Sequence, residues 1–201
     1  MNNDQATMAL SRARPHRGAL AFLDTVFWLV LSCWFGGLFT LGALVAAIVF
    51  RRVPAPYSAD AMTEVFRRFD RIALFFAATL LLVEAGRYVL SPRYFFLPEA
   101  SPKSAPAPSL ALPRAARFAH IARIAALVVA SACRAIMGFF VSPEIEALHR
   151  KGALRGLGED GNALETFHKM AERLARVEFA FLLVAAIAMV LSVRLASNDD
   201  R

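Results

Sequence analysis

The sequence lacks the motifs that identify common catalytic sites. It contains no GxSxG, HExxH, Walker or Rossmann pattern, so no motif supports an enzymatic activity. Its 2 cysteines, Cys33 and Cys133, form no CxxC or CxxCH arrangement, which argues against a cysteine-based zinc site and against covalent haem attachment. Both cysteines fall in apolar segments, where we expect them to fill space between helices. We therefore expect a protein that is not an enzyme and has no resident metal or cofactor.

Charged residues are scarce as well. They make up 19% of the 201 residues, against 58% hydrophobic residues, and the mean hydropathy of +0.49 is too high for an ordinary soluble domain. These values exclude a typical cytosolic enzyme. A net charge of +7 suggests a nucleic-acid partner in a soluble protein, but here Lys and Arg lie mostly beside apolar runs. We therefore expect the protein to interact with the lipid bilayer and not with a nucleic acid.

Four apolar stretches are present, each close to the roughly 20 residues that a helix needs to cross a bilayer. They predict an all-α fold, an integral membrane four-helix bundle with short amphipathic interfacial helices. The predicted spans are residues 22–50, 72–90, 117–142 and 177–195. They form one domain over 21–196, between a polar basic segment at 1–20 and a short tail at 197–201. The Ala- and Arg-rich composition indicates a multi-pass protein of a bacterial inner membrane.

The first apolar stretch is a retained span and not a signal peptide. Residues 25–50 are 26 residues without a charge, whereas the apolar region of a signal peptide has about 7 to 15. Two pairs of small residues at four-residue spacing, Gly42 with Ala46 and Ala43 with Ala47, let another helix approach closely. Packing inside one bundle is the favoured interpretation, and dimerisation is the alternative.

The polar connections differ in composition. Pro54 and Pro56 are expected to end the first helix, and an amphipathic helix at 59–71 then leads along the interface into the second span. The Pro-rich segment 91–116 predicts a flexible loop of irregular or polyproline character. The connection 143–176 begins with a proline, contains a Gly-rich turn and then resumes helical periodicity.

The positive-inside rule gives only a narrow preference for orientation. Without the arginines inside the spans, the connections after spans one and three hold 11 Lys and Arg. The termini and the Pro-rich loop together hold 9. The difference favours both termini on the outside.

Several charges lie inside or at the edge of the predicted spans: Glu84, Arg87, Arg123, Arg134 and Glu178. A charge near the bilayer centre costs about 2.5 to 3.5 kcal/mol, so such groups usually pair inside the bundle. Arg123 and Arg134 are eleven residues apart and therefore share a helix face. We expect Glu84 to pair with Arg123, and Arg134 to be balanced by Glu178 or Asp70. Ion pairs that fix helix order are the favoured interpretation, and a polar path for an ion or small anion is the alternative.

The four histidines, His16, His120, His149 and His168, lie outside the spans or at their ends. A haem held between helices usually has deeper histidine ligands. Copper favours clustered Met, Cys and His, and Met137 near Cys133 is only weak support for such a cluster. We therefore expect neither a haem nor a copper site.

Four short segments are similar to those of one family: Trp34–Phe39 (WFGGLF), Val65–Phe69 (VFRRF), Pro143–Leu148 (PEIEAL) and Phe167–His168. With them, residues 25 to 195 resemble the bacterial relatives of transmembrane protein 205, while the Pro-rich stretch 97–113 departs from the pattern. The positions typical of that family are Trp34, Gly36, Gly37, Pro143 and His168. The last two match a proline-containing exit from span three and a loop histidine.

The resemblance implies a four-span membrane protein without an assigned biochemical activity. It extends more distantly to copper-resistance D-type membrane proteins, a group that includes haem-linked members. We therefore expect a non-enzymatic protein that acts through packing, lipid or partner contacts, with a membrane protein or a second copy as the partner. The alternative is a small ion or metal transporter or metal-resistance protein, followed by a haem-binding membrane oxidoreductase.

Overall fold

The structure, a computed structural model, describes residues 3–54, 57–90 and 114–197. These residues are helical almost throughout and contain no strand. They include four helices that are long and apolar enough to cross a membrane, so the predicted all-α four-helix membrane fold is confirmed. Residues 91–113 of the expected flexible loop lie outside the described residues. Residues 114–116 begin a helix.

The helices are α1 (Asn3–Phe39), α2 (Ala46–Arg52), α3 (Tyr57–Leu90), α4 (Arg114–Ile136), α5 (Ser142–Arg150) and α6 (Gly158–Ser197). Wide π-helical turns join α1 to α2 at Thr40–Val45 and α4 to α5 at Met137–Val141. The membrane-spanning candidates are span 1 (Gly18–Arg52), span 2 (Tyr57–Leu90), span 3 (Arg117–Arg150) and span 4 (Gly158–Ser192).

Proline and glycine end the helices where the chain must turn. α2 ends at Arg52, and the residue before Pro54 is extended (φ −103°, ψ 122°), as the proline ring requires. Between α5 and α6, positive φ values at Gly152, Gly156 and Gly158 (76°, 77° and 68°) reverse the chain. This left-handed backbone conformation is accessible to glycine at little cost.

Pro143 does not end the third helix, contrary to the expectation that the span stops before it. The helical backbone continues through Pro143 into α5, because this proline lies in the first turn of α5. A proline is tolerated there, and the preceding π-helical turn, Met137–Val141, loosens the backbone where the ring needs space. Span 3 therefore extends to Arg150.

The predicted amphipathic segment at 59–71 is the first part of α3 and not a separate helix. Its apolar side buries Met62 and Phe69. On its polar side, Glu64 accepts hydrogen bonds from Arg67 at 2.9 Å and from Arg68 at 2.7 Å.

The helices enclose two hydrophobic cores. The larger core lies between the four spans and includes Phe27, Trp34, Leu80, Leu127 and Leu182. The smaller core lies between α5 and the first half of α6 and consists of Met137, Val141, Ile145, Leu148 and Leu164, with Phe167, Ala171 and Leu174 packed against it. We use the name polar end of the bundle for three segments: residues 57–71 of α3, all of α5, and residues 158–176 of α6.

Span 1 is the least buried of the four helices. In its most apolar 18-residue window 6% of residues are buried, compared with 28 to 39% in the other three spans. Large apolar side chains on the outside of the bundle, such as Phe75, Phe118 and Phe139, face the region that lipid occupies around a membrane protein.

Candidate functional site: two ion-pair clusters

Charged side chains are buried inside the bundle at two levels. The buried ones are Asp70, Glu84, Arg87, Arg123, Arg134 and Glu178, each at most 7% exposed. Arg123 lies near the beginning of α4 and Arg134 near its end, and both face the interior as their eleven-residue spacing predicts. The side chains around them form two separate clusters.

The Arg123 cluster is centred on Glu84 of α3. One oxygen of Glu84 accepts a hydrogen bond from Arg123 Nη2 at 2.8 Å, and the other accepts one from Arg87 Nη1 at 2.5 Å. Arg87 Nη2 also donates to Asp24 Oδ1 of α1 at 2.5 Å, and His120 Nδ1 lies 2.7 Å from Arg123 Nη2. The predicted pair of Glu84 and Arg123 is therefore present, within a larger network.

Span 4 completes this cluster. Arg123 Nη1 lies 3.1 Å from the Ser192 hydroxyl and 2.9 Å from the sulfur of Met189. The ring of Phe27 lies beneath both guanidinium groups, 4.7 Å from Arg87 and 5.7 Å from Arg123. A ring face at these distances attracts a cation and adds to the attraction of the carboxylates.

The Arg134 cluster consists of Trp34, Asp70, Arg134, Ser142 and Glu178. Arg134 donates to Glu178 through Nε at 3.0 Å and through Nη2 at 2.7 and 2.5 Å, and its Nη1 donates to Asp70 Oδ1. Trp34 Nε1 donates to Glu178 Oε1 at 2.7 Å, and the Ser142 hydroxyl lies 2.6 Å from Asp70 Oδ2. Arg134 therefore binds both of the acids that the sequence offered as alternatives.

The two clusters differ in charge. The Arg123 cluster has two carboxylates and two guanidinium groups, whereas the Arg134 cluster has two carboxylates and one guanidinium group. Each cluster nevertheless takes at least one side chain from each of the four spans. Removal of one partner from such a buried network leaves an uncompensated charge, which is strongly destabilising.

Apolar residues separate the two clusters along span 3. Ala126, Leu127 and Ala130 lie on the face between Arg123 and Arg134, and each is at most 1% exposed. Eleven residues of α-helix correspond to about 16 Å. On span 3, Ala126, Leu127 and Ala130 therefore form an apolar layer between the two clusters.

Some cluster contacts are not predictable from local pattern. The sequence indicates that Trp34 packs against a neighbour, but not that its indole reaches Glu178. A buried indole N–H needs an acceptor, which is the signal that points to a partner without naming it. The contact of Ser142 with Asp70 carries no sequence signal, because Ser142 is an uncharged residue at the last position of the expected third span.

The two histidines of the polar end lie outside both clusters. His168 is in α6 and not in a loop, contrary to the expectation from the family resemblance, because the helical periodicity of residues 164–174 begins before it. Its ring packs edge-on against His149 of α5 at 5.8 Å between centroids. Among the described residues no group of three or more His, Cys, Asp or Glu side chains is arranged to hold a metal ion.

The two family-typical glycines, Gly36 and Gly37, have different surroundings. Gly37 lies against the ring of Phe69, close enough that a Cβ atom would come within 2.7 Å of it. Gly36 faces outward, since a Cβ there meets nothing within 4 Å. Of the two cysteines expected to fill space between helices, Cys133 is buried and Cys33 is exposed.

A shallow groove of about 400 Å³ lies between α3 and α5 at the polar end. Its lining carries both signs of charge: Asp60, Thr63, Glu64, Arg67, Glu146, His149 and Arg150. Arg67 pairs with Glu146 across it at 3.2 Å, and Arg150 lies 3.7 Å from the same carboxylate. Two of the three acids of this groove, Glu64 and Glu146, are therefore paired with its arginines.

Apolar side chains on the outside and paired charges on the inside define an integral membrane four-helix bundle. Residues 29–153 match the family described as a domain of unknown function, DUF4149, and the chain belongs to that family. The matched region includes the arginines of both clusters and ends before Glu178. No curated protein and no solved structure matches the chain.

Proposed function

We propose that this chain is a non-enzymatic protein of the bacterial inner membrane, similar to the bacterial relatives of transmembrane protein 205, that binds a helix of another membrane protein. The proposal rests on one observation, the exposed row of small residues on span 1. The partner is a transmembrane helix that packs against this row, supplied by a second copy or by a different chain.

The row consists of Ser32, Gly36, Thr40, Ala43 and Ala47, at steps of three or four residues. Four of them are exposed, Gly36 is partly exposed, and no atom lies within 4 Å of a Cβ placed on Gly36. In a bilayer, lipid tails are as apolar as leucine, so helices associate mainly where small residues let backbones come close. This row is therefore suited to receive another helix.

The weak burial of span 1 supports the same conclusion. With 6% of its apolar window buried, span 1 has the most open surface of the four spans, although Phe27, Leu31 and Trp34 enter the larger core. Polar contacts nonetheless hold it at two points, through Asp24 to Arg87 and through Trp34 to Glu178. Span 1 is thus fixed in position while most of its surface stays open to the bilayer.

The experiment is cross-linking in native membranes. In a Cys133→Ser background, oxidation of the exposed Cys33 is expected to yield a disulfide-linked dimer if the partner is a second copy. A photoreactive amino acid at Thr40 is expected to capture a partner protein in either case. Gly36→Leu, which places a large side chain in the row, is expected to abolish both products.

The matched control is the same photoreactive amino acid at Phe75, which is 68% exposed on span 2. It is expected to label lipid. The proposal is overturned if Thr40 labels only lipid, as Phe75 does, and Cys33 gives no dimer in the same membranes.

A small ion transporter is the second candidate, and the unequal charge of the Arg134 cluster favours it. Two acids with one arginine offer a place where a positive charge is bound inside the bundle. Proteoliposome flux assays with wild type and Arg134→Gln test this candidate. An absorption spectrum and metal analysis of protein purified without chelators test for haem and copper.

A further inference from the structure

The Arg134 cluster has one more negative than positive group. Asp70, Arg134 and Glu178 are 4%, 2% and 0% exposed, so all three are shielded from bulk water. The groups that face them are the Trp34 indole from α1 and the Ser142 hydroxyl of α5, with the buried Cys133 thiol beside Arg134 on α4. None of these carries a positive charge. An uncompensated carboxylate in this position is costly, so the cluster requires one further positive charge.

The hydrogen bonds show which oxygen accepts that charge. Both oxygens of Glu178 face Arg134, and one also faces the Trp34 indole, and these nitrogens can only donate. Asp70 Oδ1 likewise faces Arg134. Asp70 Oδ2 differs, because its partner at 2.6 Å is the Ser142 hydroxyl, which can donate or accept.

We propose that the Arg134 cluster is a proton-binding site inside the membrane domain, with the proton on Asp70 Oδ2 and donated to the Ser142 hydroxyl. In this state Arg134 balances Glu178, and each hydrogen bond of the cluster keeps its partner. A metal ion does not fit, since the described residues bring no group of three or more His, Cys, Asp or Glu ligands together there. The inference does not depend on the partner proposed for span 1.

Ser142 connects this site to the α4–α5 junction. It is the first residue of α5, directly after the π-helical turn, and it is partly exposed. A Cβ placed on Gly138, within that turn, would lie 3.7 Å from the Asp70 Cβ. Loss of the proton makes Ser142 the donor and leaves a second negative charge beside the junction.

The first experiment is infrared spectroscopy of the purified full-length protein in lipid at neutral pH. Wild type is expected to show the C=O stretch of a protonated carboxyl group, shifted to lower frequency in heavy water. Asp70→Asn is expected to remove this band, and Ser142→Ala to shift it, because the proton loses its acceptor. Glu84→Gln, the matched change in the charge-balanced cluster, is expected to retain it. A wild type without the band, or a band that survives in Asp70→Asn but disappears in Glu178→Gln, overturns the assignment to Asp70.

The second experiment compares thermal unfolding of the same variants in detergent. Asp70→Asn leaves one acid and one base in its cluster, so its Tm is expected to equal or exceed that of wild type. Glu84→Gln leaves one acid and two bases, so its Tm is expected to fall. An equal fall in both variants overturns the charge argument. If Asp70→Asn does not fold, the Ser142→Ala band shift alone decides, and an unshifted band overturns the proposal.

Discussion

Trp34 Nε1 donates a 2.7 Å hydrogen bond to Glu178 Oε1 and so joins span 1 to span 4 across 144 residues of sequence. Trp34 and Glu178 are both fully buried. Glu178 therefore binds span 1 through the indole and span 3 through Arg134. The carboxylate of Glu178 on span 4 thus connects span 1 and span 3.

Replacement of Trp34 by Phe tests this connection. Trp34→Phe removes the donor and keeps most of the ring, so the loss is expected to be about 1.5 to 3 kcal/mol, as for hydrogen bonds to charged groups. SDS-induced unfolding in mixed micelles measures it. Trp28→Phe, at a residue that is 36% exposed, is the control and is expected to change stability little. Equal effects at the two positions would show that the hydrogen bond contributes nothing.

The pair of Glu84 and Arg123 is expected to be strongly coupled. Arg123→Gln leaves the buried Glu84 short of its partner, at a cost of about 3 to 5 kcal/mol. Glu84→Gln with Arg123→Gln leaves Asp24 paired with Arg87 and no unpaired charge, so the double variant is expected to recover part of the loss. A double-mutant cycle on unfolding free energies measures the coupling. Additive single losses would contradict it.

Gly36 and Gly37 are adjacent, but an added methyl group is expected to have opposite effects on them. Gly37→Ala places Cβ 2.7 Å from the ring of Phe69 and is expected to destabilise the bundle by about 1 to 3 kcal/mol. Gly36→Ala meets nothing within 4 Å and is expected to be neutral or to stabilise the helix by up to about 1 kcal/mol. Thermal unfolding of the monomer in detergent compares them, and a larger loss at Gly36 would refute the packing described for Phe69.

The turn between α5 and α6 depends on Gly156. Its φ of 77° lies in the left-handed region, where a side chain costs about 1 to 2 kcal/mol. Gly156→Ala is therefore expected to lower the Tm, whereas Gly18→Ala, in α1 with open space around it, is not. If both variants unfold at the wild-type temperature, the turn does not require glycine.

The sequence predicts the features that depend on one helix at a time. Hydropathy locates the spans, and the eleven-residue spacing places Arg123 and Arg134 on one interior face. The up-down topology then limits which acids each arginine can reach, and this limit is enough to predict Glu84 as the partner of Arg123. Rotation of one helix against another is not encoded locally, so the sequence left Asp70 and Glu178 as alternatives although Arg134 binds both.

One local feature is also beyond pattern reading. Pro143 normally marks a helix end, but its place in the first turn of α5 and the wide turn before it allow α4 to continue as α5. His168 differs, because the helical periodicity of residues 164–174 already indicates a helix and only the family resemblance implies a loop. The smaller core then holds that stretch in place as part of α6.

The lengths of the helices give the protein two unlike faces. Spans 2, 3 and 4 have 34 or 35 residues, about 50 Å of helix, whereas the hydrocarbon layer is about 30 Å thick. The surplus lies where α3 and α6 begin and α5 ends, and the Arg67–Glu146 ion pair braces it. One compartment therefore meets charged helix ends that project beyond the hydrocarbon layer. A soluble factor, a protease or an antibody approaching from that compartment would encounter folded helix ends before it reached the bilayer.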